Sequence, residues 1–190
     1  MAAKTIAVLF ARPDSIYHQL DGADVWDINR DARRWPGGAP VVAHPPCRAW
    51  GRLRTFAKPR DDEKDLARFA VAMVRKYGGV LEHPAGSTLW ADQNMPPPGT
   101  ADESGGWTLG ISQVEFGHRA EKKTLLYIVG VEPKGIPPLP LTLDYAPRVI
   151  STRSNRDPRQ EVTKREREAT PLTLARWLLE LARATTISST

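Results

Sequence analysis

Four short apolar runs, each stopped by an acid or a proline-bearing loop, constrain the fold of this 190-residue chain more than any other feature. They are Thr5–Phe10 (TIAVLF), Ala23–Asp27 (ADVWD), Pro40–Ala43 (PVVA) and Val80–Glu82 (VLE). Each is too short for a helix and reads as a buried strand. Between the third and fourth lies Asp61–Tyr77, where Leu66, Phe69, Ala70, Met73, Val74 and Tyr77 recur at helical spacing. Acids in its first turn, Arg75 and Lys76 in its last and Gly78-Gly79 after it suit a helix dipole and a glycine stop. Short strands alternating with a helix predict an α/β domain with a mostly parallel sheet and helices on both faces.

The rest of the chain is less regular. Asp92–Gly106 reads as loop, and Ser112–Phe116 with Thr124–Val129 as a strand pair around a polar turn. Pro133–Pro147 is proline-rich and extended. Ser151–Glu168, with six basic and four acidic residues, reads as a mobile segment. Thr170-Pro171 opens a last helix whose packing face is Leu174, Trp177, Leu178 and Leu181. The length suits one domain. No apolar run approaches the roughly 18–20 residues that span a membrane. The short apolar start reads as a strand and not as a signal peptide, so a cytoplasmic location is expected.

Ligands of parallel sheets bind beyond the carboxyl ends of the strands. Asp27, Cys47 and Glu82 all stand there. Cys47 is the single cysteine, which excludes an internal disulfide and a cysteine-only zinc site. It follows Pro45-Pro46, whose rigid turn ends the third strand. Arg48, Arg52, Arg54, Lys58 and Arg60 follow with no acid among them, and Trp50 and Phe56 lie between these cations. Positive neighbours favour a thiolate. The same mixture suits phosphates and stacked bases. Twenty-seven basic residues against 22 acidic ones, a net charge of +5, allow an anionic partner. A small buried hydrophobe is the commoner fate of a lone cysteine. His44 and His83 adjoin Cys47 and Glu82 but lack the spacing of a metal site, and no metal is expected.

Four motifs in order resemble the DNA cytosine-5 methyltransferases. HPPCRAW stands where that family has its PPCQ nucleophile motif, and LEHPAG where its ENV motif follows the next strand. EFGHRAEKKTLLYIVG resembles the later motif ending in a strand and glycine; aligned backward from Gly130, Lys123 takes the place of its first arginine. Asp27-Ile28-Asn29-Arg30-Asp31-Ala32 resembles the acidic motif after the second strand. The likeness runs from about residue 5 to residue 131, and the chain is also similar to compact methyltransferase-like proteins of bacteriophages. It implies a reduced Rossmann-like class I methyltransferase sheet, with S-adenosylmethionine as cofactor and DNA as partner. It implies Cys47 as nucleophile at cytosine carbon 6, a protonated Glu82 at N3, and Lys123 positioning the loop or base. Phe10, Ala11, Asp27, Ile28 and Pro45 would hold the cofactor, and Arg48, Trp50, Arg52, Arg54 and Lys122 the nucleic acid.

The residues themselves leave alternatives open. Glu82 could be a strand-end acid paired with an arginine, Asp27 could cap a helix near Asn29, and Lys122 and Lys123 could be a solvated turn. The chain also departs from the family. Its first loop has no glycine before Gly22, Arg48 replaces the glutamine after the cysteine, and lysines replace later arginines. Residues 131–170 give only a short, basic, proline-rich insert where a recognition domain would stand, so short or relaxed sequence preference is expected. Two rival functions follow: a pyrimidine-modifying enzyme using another donor or a free nucleotide, and a non-catalytic nucleic-acid-binding protein.

Overall fold

The computed structural model describes residues 4–140, 145–150 and 158–186. Six strands form one sheet: β1 (Ile6–Leu9), β2 (Ala23–Trp26), β3 (Val41–Ala43), β4 (Gly79–Pro84), β5 (Trp107–Ser112) and β6 (Lys123–Val129). Their order is β2-β1-β3-β4-β6-β5. The first four strands run parallel, and β6 is reversed, pairing antiparallel with both β4 and β5. Helices α1 (Glu63–Tyr77) and α4 (Leu172–Arg183) are the long ones; α2 (Leu89–Asp92) and α3 (Lys164–Glu168) are single turns. The chain is thus α/β with a mixed, mostly parallel sheet. No helix among the described residues is long and apolar enough to cross a membrane.

Strand alternation divides the core in two. Ile6, Val8, Val42, Val80 and Ile128 pack with Leu174, Leu178 and Leu181 of α4. Ala7, Leu9, Val41, Leu81 and Val129 pack with Ala67, Ala70, Val71 and Val74 of α1. Residues buried on both faces explain why the strands read as unbroken apolar runs. The α1 face is turned slightly from the expected one: Ala67 and Val71 are fully buried, while Phe69, Met73 and Tyr77 line its edge.

Two expectations are corrected. Strand β5 lies five residues earlier than expected, and Gln113–Phe116 forms a 3-10 turn. Asp102 accounts for the shift, because its carboxylate accepts from the backbone of Ser104 and Gly106 (3.0 and 2.9 Å) and turns the chain into β5. The segment Ser151–Glu168 is structured where it is described, its first seven residues lying outside the described residues. Thr163 and Glu166 form a reciprocal capping box on α3, and Val162 is buried.

Gly79 starts β4 at φ +117°, and a Cβ there would stand 1.9 Å from the Val41 carbonyl oxygen. Neither the backbone conformation nor the space admits a side chain. Gly79→Ala is expected to lower the melting temperature sharply, with a loss on the order of 3 kcal/mol or more in denaturant titration.

Candidate active site

The end of β3 and the end of β4 lie side by side, and each delivers part of the site. His44 extends β3 by donating its backbone N–H to the Leu9 carbonyl (3.0 Å). The two prolines then turn the chain, and the Cys47 carbonyl accepts from the N–H groups of Trp50 and Gly51 (3.1 and 2.8 Å). Cys47 is exposed in the mouth of a cleft of about 1660 Å³ over the carboxyl ends of β1, β3 and β4. Glu82, near the end of β4, lines the same cleft with its side chain only 11% exposed.

Both oxygens of Glu82 are held. One lies 3.1 Å from His44 Nδ1, and the other accepts from Gln113 Nε2 at 2.9 Å. The second His44 nitrogen, Nε2, is 3.0 Å from the hydroxyl of Tyr17, which is fully buried. A carboxylate only accepts, so Nδ1 donates to Glu82. Gln113 also donates to Thr124 Oγ1 at 3.0 Å. The chain Tyr17–His44–Glu82–Gln113–Thr124 therefore crosses from beside β1 to β6.

Burial pushes the Glu82 carboxyl up, but the Lys122 charge and the His44 contact outweigh it and bring the pKa to about 2. Glu82 is thus ionised at rest, which corrects the expectation of a protonated acid. The Cys47 thiol is pushed above its ordinary value by desolvation and then by Glu82, with Lys122 partly offsetting both. The basic flank does not make it a resting thiolate, because the nearby charges that act on it come from Glu82, Lys122 and Glu168. Burial and then the Glu82 charge also raise Tyr17 well above the usual phenol value. Burial lowers His83, on the α1 side of β4, to about 4, so it is neutral.

Other expected residues are distributed unevenly. Lys123 is 73% exposed and pairs with Glu121 at 3.4 Å. Lys122 is the lysine acting on Glu82 and Cys47; in a strand one residue of register exchanges the two faces. Trp50 is buried in the α1-side core, which removes it as a stacking surface. Arg48 pairs with the buried Glu63 at the start of α1, and Arg48, Arg52 and Arg54 all line the cleft.

Phe10, Ala11 and Pro45 also line the cleft, but Asp27 and Ile28 do not. Asp27 is buried, and its Oδ1 accepts from the backbone of Asn29 and Arg30 (2.9 and 3.2 Å). It closes a turn and caps no helix, and Ile28 points to solvent. Phe10 adopts φ +62°, a left-handed conformation that glycine takes more readily, and its ring packs edge-on against Phe69 of α1.

Tyr17, His44 and Gln113 are the site residues without an assigned role in the sequence reading. Helix α3 adds Lys164, Arg165, Arg167 and Glu168 to the cleft wall. The cleft as described is lined by eleven basic and four acidic side chains, a surface suited to a polyanion. No group of three or more His, Cys, Asp or Glu among the described residues is placed to hold a metal ion. Comparison with protein-family models, curated proteins and solved structures finds no match to this chain.

Two measurements check these electrostatics. The alkylation rate of Cys47 by iodoacetamide is expected to rise with pH to a midpoint above that of a free thiol. Glu82→Gln is expected to lower that midpoint and Lys122→Ala to raise it. The second concerns His83, whose pKa is about 4 folded against 6.5 unfolded. Below pH 6.5 the unfolded chain binds a proton that the native one excludes, so stability falls as pH drops from 6.5 toward 4. The loss is on the order of 2–3 kcal/mol, and calorimetry is expected to show a shallower decline for His83→Leu.

Proposed function

We propose that this protein modifies cytosine in DNA by adding Cys47 to carbon 6 of the base, the chemistry of cytosine-5 methyl transfer. One observation carries the reading: Cys47 and an ionised, doubly hydrogen-bonded Glu82 share one basic cleft at the ends of adjacent strands. The sheet supports it, because Cys47 and Glu82 stand at the carboxyl ends of adjacent parallel strands, where ligands of such sheets bind.

Forming the Sγ–C6 bond removes one proton from the thiol. The C5–C6 π pair shifts into the C4–C5 bond and the C4–N3 π pair moves onto N3, so carbon 5 becomes the nucleophilic end of an enamine and N3 gains the proton the thiol gives up. Once carbon 5 has taken its one-carbon group, it loses its hydrogen as a proton, the Sγ–C6 bond breaks and the N3 proton returns to the thiolate. Glu82, with a pKa of about 2, is too weak a base to take the thiol proton and instead accepts from the new N3–H. As a carboxylate it also accepts from the exocyclic amino group, which favours cytosine over uracil. His44 and Tyr17 hold the carboxylate oriented, and Lys122 stabilises its charge.

The resemblance implies S-adenosylmethionine as donor of the methyl group. The residues present do not fit the family's way of holding it: the acid after β2, Asp27, is buried and committed to its own turn. That observation favours a second reading in which the same cysteine–carboxylate pair serves another one-carbon donor.

Purified protein incubated with labelled S-adenosylmethionine and DNA tests the proposal. Label on cytosine carbon 5 that disappears in Cys47→Ala, and falls at least about 100-fold in Glu82→Gln, is expected. DNA binding without any transfer from this donor, but with transfer from another one-carbon donor, would support the second reading.

A further inference from the structure

We propose that Phe56 is a stacking platform for a base of single-stranded DNA drawn across the cleft, an inference that rests on the nucleic-acid reading of that cleft. Between Cys47 and α1 the chain makes a 3-10 turn over Arg54–Phe56, preceded by Leu53. Phe56 is 82% exposed, the most exposed of the large apolar side chains among the described residues, and Leu53 is 42% exposed. The Phe56 N–H donates to the Leu53 carbonyl at 2.9 Å. The two residues are thus joined across one turn, and both expose apolar surface.

The turn is placed and not loose. Trp50 is buried, its carbonyl accepts from the N–H of Thr88 at 3.0 Å, and the Gly51 N–H donates to the Cys47 carbonyl. The Arg54 N–H donates to the Gly51 carbonyl at 3.0 Å. Backbone hydrogen bonds thus tie the turn to Cys47 itself. Arg52, Leu53, Arg54 and Ala57 line the cleft, and Phe56, between Arg54 and Ala57 in the chain, exposes its ring outside that lining.

An isolated exposed apolar side chain needs no explanation. An aromatic ring beside an aliphatic one, set among Arg52, Arg54 and Lys58 by a basic cleft, has the chemistry of a nucleobase stack next to phosphates. Of the two aromatic residues in the basic stretch, Trp50 is buried, and Phe56 alone presents a ring. A duplex covers its base faces with neighbouring bases, whereas a single strand offers them. The occupant that matches this surface is therefore a single strand, with Arg52 and Arg54 on its phosphates and one base on Phe56.

Fluorescence anisotropy with a short labelled single strand and with the matching duplex tests this across a range of salt concentrations. Phe56→Ala is expected to weaken single-strand binding roughly tenfold without changing the salt slope, and Phe56→Trp to restore it. Arg54→Ala is expected to reduce the slope by about 0.7. Because Phe56 is exposed, each variant is expected to keep the wild-type melting temperature. Equal single-strand affinity in wild type and Phe56→Ala would overturn the platform, as would an equal loss on the duplex. Wild type that binds no DNA would overturn both this inference and the nucleic-acid reading. Failure of methyl transfer with the Phe56 effect intact would overturn only the proposed reaction.

Discussion

The site depends on burying one carboxylate at the seam where the parallel sheet meets its reversed strand. Glu82 stands on β4, which pairs parallel with β3 on one side and antiparallel with β6 on the other. An ionised carboxylate at 11% exposure is tolerable only if its charge is met and its oxygens are filled. Both flanks supply this: His44 from just past the end of β3, Gln113 from the turn after β5, and Lys122 from just before β6. The second His44 nitrogen meets the Tyr17 hydroxyl, so the turn after β1 is drawn into the same network.

This arrangement also fixes the state of the cysteine. A thiol next to an ionised carboxylate is harder to deprotonate, and Lys122 offsets that only in part. The pair is therefore held as neutral thiol and carboxylate. Arg52, Arg54 and the α3 cations stand along the cleft wall and are not among the charges that act on the thiol.

Much of the fold was legible because the parallel strands are buried on both faces and write themselves as apolar runs. TIAVLF, ADVWD, PVVA and VLE all lie on strands, and α1 and α4 were legible from their apolar spacing. Strand β5 was not, because Gly110 and the half-exposed Trp107 and Leu109 blur its alternation, and the Asp102 turn that starts it works through backbone contacts. Helix α3 was hidden by its charge, although Thr163 and Glu166 carry a capping-box signal. That Cys47 and Glu82 lie in one cleft was legible from their places at strand ends. The choice of Lys122 over Lys123 turns on strand register, and the burial of Trp50 on tertiary packing. The ionisation of Glu82 depends on Lys122 and His44, which come from separate segments that no local pattern joins.

The proposed reaction requires Cys47 to bond to carbon 6 of a pyrimidine held against Glu82. Mass spectrometry of the denatured protein after incubation with single-stranded DNA carrying 5-azacytosine, an electron-poor ring at that carbon, tests it without requiring a methyl donor. A covalent adduct mapped to Cys47 is expected, absent from Cys47→Ala and strongly reduced in Glu82→Gln. An unmodified Cys47 under conditions in which the DNA is bound, or an adduct on another residue, would contradict it.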